Sequence, residues 1–358
     1  MIISRTPYRI SFFGGGTDYP AWYQKNGGEV LAVTINKYCY LTCRYLPPFF
    51  EHRIRVVYSK IENCQRADEV GHASVREVLR FLRIDRGVEI HHDGDLPARS
   101  GMGSSSAFTV GLLHALYALK GHMIDKHRLA DESIYIEQQI LKETVGSQDQ
   151  VSAAHGGLNH IIFLPAGNIS VNPLTLTQSR IEELNAHLML FYSGIKRTAA
   201  QVAESYVNHL ETRTSQLFRL KEFVEEGIAI LNSHQSITTF GRLLHEAWKV
   251  KRSLSSEVSN SVVDDLYLQG IEAGALGGKL TGAGGGGFLL LFVPPEKQGK
   301  VKEKLKKLIY VPFNFEFSGS QIIFFDRQED FSALDRERVN RPIKPFQELE
   351  INPKEITK

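Results

Sequence analysis

Cysteine is scarce in this chain: Cys39, Cys43 and Cys64 are all that its 358 residues contain. They are odd in number and lack CxxC spacing, which argues against a disulfide framework and suits free thiols in a reducing compartment. A zinc site would need more ligands than these, and no histidine pair stands at finger spacing. No apolar run approaches the roughly 20 residues that a membrane helix needs. The opening stretch, MIISRTPYRISFF, sets charges among its apolar residues and has no signal-peptide layout. A cytoplasmic protein with no membrane partner is expected. Charge of one sign is lacking too. The formal net charge of +2 argues against a chain-wide nucleic-acid surface, though not against a local basic pocket.

What is present is a globular composition, 42% hydrophobic and 23% charged, which argues against wholesale disorder. The length suits two packed domains better than one core. Runs rich in β-branched and aromatic residues predict strands at Ile2-Ile3, Ile10–Phe13, Val30–Tyr45 and Ile54–Tyr58. Helical spacing marks Val70–Leu82, Ser104–Leu119 and about Arg128–Lys142, and a strand is expected between Gly157 and Leu164. Pro165–Pro173 reads as a boundary. Beyond it come a strand at His187–Tyr192, three or four helices between about Thr198 and Ala275, and strands at Gly278–Thr281, Gly287–Val293 and Gln321–Phe325. A helix is expected near Glu296–Leu308. The expected division is 1–168, 169–326 and a charged tail or arm at 327–358. Strands and helices alternate without a regular βαβ rhythm, which predicts an α+β protein of two domains.

Three glycine-rich stretches draw attention. Leu96–Ala107, LPARSGMGSSSA, lies between a short strand predicted at Val88–His91 and the strongly periodic helix from Ser104. Its glycines permit positive φ, and the amides of Gly103–Ser106 would face outward at the positive end of the helix dipole, a natural anion site. The stretch lacks the Gly-Lys-Ser/Thr ending of a Walker A loop. The bland alternative is a loop in which Ser104 merely caps the helix. Arg5–Asp18 runs from a strand through Gly14-Gly15-Gly16 to Thr17 and Asp18. It reads either as a hairpin-like turn or as a carboxylate offered to a polyol. Lys279–Phe288 contains GxGxxG, but it leads into the apolar run Phe288–Val293 instead of opening a helix, which removes a dinucleotide fingerprint.

Glu137, on the expected helix, precedes the segment ETVGSQDQ, and Asp149 lies within it, following Gly146 at a turn. Phosphoryl transfer needs a hard oxygen ligand for magnesium and a group that orients or deprotonates the attacking hydroxyl, and two carboxylates would supply both. Read singly, each is a surface carboxylate. His91, His92, His155 and His160 read as ordinary strand or loop residues, and Trp248 as core.

Taken in this order, the stretches resemble the GHMP small-molecule kinases, the group of galactokinase, homoserine kinase and mevalonate kinase. Pro97–Ala107 matches the family's P-x-x-x-G-L-G-S-S-A, with Met102 for Leu and an extra Ser106; Lys279–Gly287 matches K-x-T-G-A-G-x-G-G. The resemblance runs from about Arg5 to Phe325. It implies a ribosomal-protein-like N-terminal domain and a ferredoxin-like C-terminal domain, with ATP and Mg2+ bound between them. By motif position, Asp149 is the catalytic aspartate and Arg9 its basic neighbour. The resemblance further implies that Pro97, Arg99, Ser100, Gly101, Met102, Gly103, Ser104, Ser105 and Ser106 bind ATP and that Ser105 and Glu137 hold the metal. It likewise implies that Gly15, Gly16, Thr17 and Asp18 meet the sugar, with Gly282, Ala283 and Gly284. Galactokinases carry a Glu-His pair at the places of Gly15 and Gly16. The triple-glycine form looks like the branch acting on D-glycero-D-manno-heptose 7-phosphate at its anomeric carbon, and fucokinase domains share it. A sugar phosphate wants basic partners; Lys196 and Arg197 are the candidates. A non-catalytic sugar sensor is the reading from another class. Monomer and homodimer stay open.

Overall fold

The computed structural model describes residues 1–98, 100–195, 199–207, 210–327, 329 and 331–340. Two long strands, β1 (Ile2–Phe13) and β2 (Gly28–Tyr45), pair antiparallel and form the spine of the first sheet. The sequence predicts β1 only at its two ends, because Arg5-Thr6-Pro7-Tyr8 lacks a strand-like pattern. The structure runs it through, with a register shift at Pro7/Tyr8, the kind of irregularity at which a strand admits proline.

Four strands extend this sheet: β3 (Ile54–Val57), β4 (Ile61–Cys64), β5 (Val88–Gly94) and β6 (Leu158–Phe163). β5 lies beside β2, and β3 lies parallel to β5. β7 (Ile169–Pro173) pairs with β6. The second sheet holds β8 (Leu188–Tyr192), β9 (Gly277–Leu280), β10 (Phe288–Phe292) and β11 (Ile309–Val311), in the antiparallel order β11-β8-β10-β9. The chain then returns to the first sheet: β12 (Phe315–Glu316) pairs with β2 and β13 (Gln321–Phe325) with β1. The architecture is α+β. The sheets do not follow the sequence division, however, since 169–173 and 315–325 belong with the first.

The helix Ser104–Leu119 is apolar nearly all round, as a helix buried on most sides must be. It lies directly on β1: the Ser4 hydroxyl donates to the Gly111 carbonyl at 2.8 Å, and a Cβ on Gly111 would stand 2.8 Å from Thr6 Oγ1. The helices Thr238–Arg252 and Ser261–Glu272 lie against β9 of the second sheet, whereas Thr214–Leu231 lies against Thr238–Arg252 and against β1 and β2. Phe12 and Phe13, at the end of β1, join the two halves. Phe12 packs edge-on against Phe240 at 5.4 Å, and Phe13 meets Phe240 and Phe223 at 5.1 and 6.4 Å. This contact fixes the end of β1 and the turn after it. Beyond β13 a short helix, Ser332–Asn340, is described for the tail.

Candidate functional site

Arg9 stands on β1 opposite Thr34 of β2. Its main-chain N–H donates to the Met102 carbonyl at 3.1 Å, which ties the strand to the glycine loop. Its guanidinium forks onto Asp149: Nε donates to Oδ1 at 2.6 Å and Nη2 to Oδ2 at 2.8 Å, while Nη1 donates to the Gly101 carbonyl at 2.8 Å. The Arg9 side chain is 5% exposed and that of Asp149 25%, so the carboxylate is the member of the pair a ligand can reach. Asp149 sits in the first turn of a helix, Gln148–His155, where the sequence reading expected only a turn. The positive end of that helix favours its charge. Burial lifts the Asp149 carboxyl above the usual carboxylate range; Arg9 pulls it back, and Asp18 adds to the rise.

Beside this pair lies the glycine loop. Gly101 and Gly103 have φ of +78° and +73°, in the left-handed region where a side chain is costly. Gly103 is the N-cap of the helix Ser104–Leu119 and offers no side-chain cap, so the helix mouth is shaped for an external anion. A Cβ on Gly103 would stand 3.3 Å from Arg9 Cγ and 3.4 Å from Asp149 Oδ2. The loop, the arginine and the aspartate are thus one site. Within the loop, Met102 is buried, Ser100 is buried with its Oγ unpartnered among the described residues, and Pro97 and Ser105 are exposed. Arg99 lies outside the described residues, as do Lys196 and Arg197.

The third glycine stretch backs the loop. A Cβ on Gly101 would stand 2.5 Å from the Thr281 carbonyl oxygen, and one on Gly287 would stand 2.2 Å from that of Ser100. Likewise, a Cβ on Gly282 would meet Gly101 Cα at 2.7 Å, and one on Gly284 would meet the Val258 carbonyl oxygen at 2.4 Å. These glycines permit close approach of main chain to main chain. Ala283 lies between them, half-buried.

Glu137 lies in a π-helical turn, Ile136–Ile140, that follows the helix Lys126–Tyr135, and it is fully buried. Such turns recur at functional sites. Its Oε2 accepts from Ser106 Oγ at 2.8 Å and from the Gln150 side-chain amide, whereas Oε1 has no partner among the described residues. Burial pushes the carboxyl up to about 7, against the pull of the neighbouring Thr109 and Ser106 hydroxyls. The serine beside Glu137 is Ser106, not the expected Ser105; one helical residue turns the side chain by about 100°, which carries Ser105 outward. A buried carboxylate oxygen left open beside a hydroxyl is a donor set of hard oxygens. It fits a magnesium ion that keeps waters and substrate phosphates as its other ligands.

Asp18 is buried under the segment that delivers Asp149. Its Oδ1 accepts the Gly16 N–H at 2.9 Å, Oδ2 accepts the Gln148 N–H at 3.4 Å, and its carbonyl accepts the Ser147 N–H at 2.9 Å. Thr17 is fully buried: its hydroxyl lies 2.8 and 2.9 Å from the Gly14 and Glu29 carbonyls and accepts the Glu29 N–H at 3.0 Å. Thr17 therefore holds the turn in shape and is not presented to a polyol. Gly15 is half-buried at the surface of the turn, and Gly16 is buried behind it.

Two lysines near the turn were given no role by the sequence reading. Lys279 is buried and donates to the Ser11 and Phe12 carbonyls at 2.8 and 3.2 Å. Lys251 is buried and donates to the Gly15 carbonyl at 2.8 Å. A signal for Lys251 existed. It continues the apolar row Leu244, Ala247, Trp248 at helical spacing, where a charge is out of place. The histidines read as ordinary partly are: His160 Nε2 lies 2.7 Å from Glu29 and His91 Nε2 2.9 Å from Glu89. Trp248 is core, 2% exposed.

Two family descriptions match the chain, "GHMP kinases N terminal domain" over residues 72–157 and "GHMP kinases C terminal" over residues 223–311. Over 317 residues the chain is 28% identical to a D-glycero-alpha-D-manno-heptose 7-phosphate kinase of Campylobacter jejuni, covering 86% of this chain and 93% of that one. It is 24% identical to a bifunctional fucokinase/GDP-fucose pyrophosphorylase of Arabidopsis thaliana, over 84% of this chain and 31% of that longer protein. Among solved structures, a D-glycero-D-manno-heptose 1-phosphate kinase from Bacteroides thetaiotaomicron superposes with a TM-score of 0.75 at 22% identity, covering 91% of this chain and 100% of that one, a likeness of fold.

Proposed function

Because the chain belongs to the GHMP kinases and is an ATP-dependent phosphotransferase acting on a sugar hydroxyl, we propose that its acceptor is the anomeric hydroxyl of D-glycero-D-manno-heptose 7-phosphate. The product is the 1,7-bisphosphate, on the way to a nucleotide-activated heptose. The observation that carries the chemistry is the fork of Arg9 on Asp149 at the mouth of the glycine cradle. The Campylobacter relative supports the choice of sugar.

Asp149 accepts a hydrogen bond from the anomeric hydroxyl and takes its proton as the oxygen attacks the terminal phosphorus of ATP. A carboxyl lifted by burial is a stronger base than a free one, and Arg9 keeps it oriented through both oxygens. The same guanidinium offsets charge that builds on the migrating phosphoryl group. The main-chain amides at the start of the helix Ser104–Leu119 grip the triphosphate, with Gly101 and Gly103 allowing close approach. Glu137 and Ser106 would hold magnesium, which neutralises phosphate charge when bound. Asp18 stiffens the Gly146–Gln148 segment and so fixes where Asp149 points.

The test is to incubate the protein with Mg-ATP and a panel of heptose 7-phosphate, L-fucose, galactose, mannose and mevalonate. ADP release is followed, and the new phosphate is located by NMR. Turnover of heptose 7-phosphate well above the rest, with the new phosphate at C1, is the expected result. Preference for L-fucose would instead favour the second reading, a fucokinase, which the Arabidopsis relative supports. Binding without ADP release would leave a sensor, a role for which a paired Arg9 and Asp149 have no use.

A further inference from the structure

Of the three glycines in the turn after β1, two are glycine because the main chain demands it. Gly14 and Gly16 have φ of +82° and +117°, and a Cβ on Gly14 would stand 1.9 Å from the Glu29 carbonyl oxygen. Gly15 has no φ in that region. A Cβ there would meet nothing closer than Ser11 Oγ at 3.4 Å and Gln148 Nε2 at 3.6 Å, both ordinary contacts. The fold thus has room for a side chain at 15 that the sequence leaves out. Ser11 stands two positions beyond Arg9 on β1, so its side chain leaves the strand on the same face. Gln148 is the residue before Asp149. The two polar groups therefore border a place next to the Arg9–Asp149 pair. Ser11 is 4% exposed and Gln148 8%, yet Ser11 Oγ and Gln148 Oε1 have no hydrogen-bond partner among the described residues. Two buried polar atoms left unpaired, side by side, call for a partner that arrives with the ligand.

We propose that Gln148, with Ser11 beside it, recognises a ring hydroxyl of the acceptor sugar at the place that Gly15 keeps open. The proposal rests on the reading of Asp149 as the group that meets the reacting hydroxyl, and it names the residues that recognise a second one. A sugar hydroxyl both donates and accepts, so one such group can satisfy an amide oxygen and a serine hydroxyl together. The Gln148 carboxamide turns about a broad terminal torsion, which exchanges Oε1 and Nε2 at that place without moving the main chain. The main-chain N–H of Gln148, donating to Asp18 Oδ2 at 3.4 Å, holds the residue meanwhile. Selectivity follows from the same chemistry, because a sugar that lacks the hydroxyl leaves the buried groups unpaired again. Gly15 contributes by what it lacks, since a side chain there would project toward both groups.

The experiment compares wild type with three variants. Q148M keeps the length of the side chain and loses its polar end, S11A removes an atom that bonds nothing else among the described residues, and G15A fills the open place. kcat/KM is measured at saturating Mg-ATP for D-glycero-D-manno-heptose 7-phosphate and for its 2-, 3- and 4-deoxy analogues. In Q148M the value for the parent sugar is expected to fall about tenfold, the cost of a buried hydroxyl left unpaired. One analogue should show a similar loss in wild type and no further loss in Q148M, and S11A should weaken recognition of the same hydroxyl. The other two analogues should lose as much in Q148M as the parent does. G15A should raise the KM for the parent sugar about tenfold, as an added methyl in a filled place does. Nucleotide affinity by calorimetry should stay unchanged in all three variants. The proposal is overturned if Q148M leaves the parent sugar unaffected. It is also overturned if Q148M lowers kcat/KM equally for the parent and every analogue, which would mean that it only disturbs Asp149. Should Q148M fail to fold, S11A and G15A decide. A loss confined to sugars that carry one particular hydroxyl sustains the subsite, and indifference of both variants to the sugar overturns it. If wild type turns over L-fucose and not the heptose phosphate, the heptose reading fails, and the same comparison decides the subsite on L-fucose and its 2-, 3- and 4-deoxy analogues.

Discussion

At Asp149 two influences oppose each other, since burial resists the charge that Arg9 sustains. Asp149→Asn keeps the side chain's size and removes the base. Nucleotide affinity by calorimetry should stay nearly intact, while turnover falls at least about a hundredfold, the lower end of general-base loss. Near-normal turnover would take Asp149 out of the chemistry. Lys279 supplies a pH signature. Burial, and then Lys251 and Arg9, lower its ammonium to about 7. The unfolded chain keeps that proton to the ordinary lysine range, so between about pH 7 and 10 it binds more protons than the folded protein does, and stability rises with pH. Lys279→Met should abolish that rise. The difference between the two proteins in urea unfolding should shift with pH by up to about 4 kcal/mol across the window. Parallel stability profiles would mean that Lys279 is not perturbed in this way. Arg9 and Asp149 were legible as letters in the sequence; their fork was not, because 140 positions separate them. Motif position put Ser105 with the metal but does not say which way a helix residue faces, and the hydroxyl on Glu137 is that of Ser106.

The elements were legible wherever the period was strong. Ser104–Leu119 and Gln321–Phe325 emerge with the expected bounds. The helix expected at about Arg128–Lys142 begins at Lys126 and widens into the π turn that carries Glu137. The helix Gln148–His155 was not legible, being eight residues long and opening on polar side chains. β4 and β7 were missed for a related reason: short, half-exposed strands have no burial pattern strong enough to read. The glycine cradle belongs to this scale, because its shape depends on two elements touching. Gly101→Ala would put a methyl 2.5 Å from the Thr281 carbonyl at a φ of +78°. A left-handed alanine alone costs roughly 1–2 kcal/mol, and the clash adds to it. The expected outcome is a lower melting temperature with a raised KM for ATP. An unchanged KM would show that the loop's contact with Thr281 does not shape the nucleotide site.

At the scale of the whole molecule, the site exists because Phe12 and Phe13 carry the end of β1 into the helices of the other half. Phe13 is 1% exposed, and Phe13→Ala should cost about 3–5 kcal/mol, as aromatic deletions from cores do. It should also weaken sugar binding more than nucleotide binding, since the Gly14–Asp18 turn hangs from it. A loss below 1 kcal/mol by urea unfolding would mean that the two halves are held elsewhere. The α+β class was legible from composition and order. The sharing of the sheets was not, because β12 lies 280 positions beyond its partner Ile35 in β2 and β13 lies 316 to 323 positions beyond its partners in β1. That late return has a practical consequence for anyone dividing the protein. A fragment stopped at residue 168 would bare the β1 edge that β13 covers and the β6 edge that β7 covers. Naked edges of this kind recruit other chains. Such a truncate should precipitate on expression, and co-producing the remainder should restore it to solution.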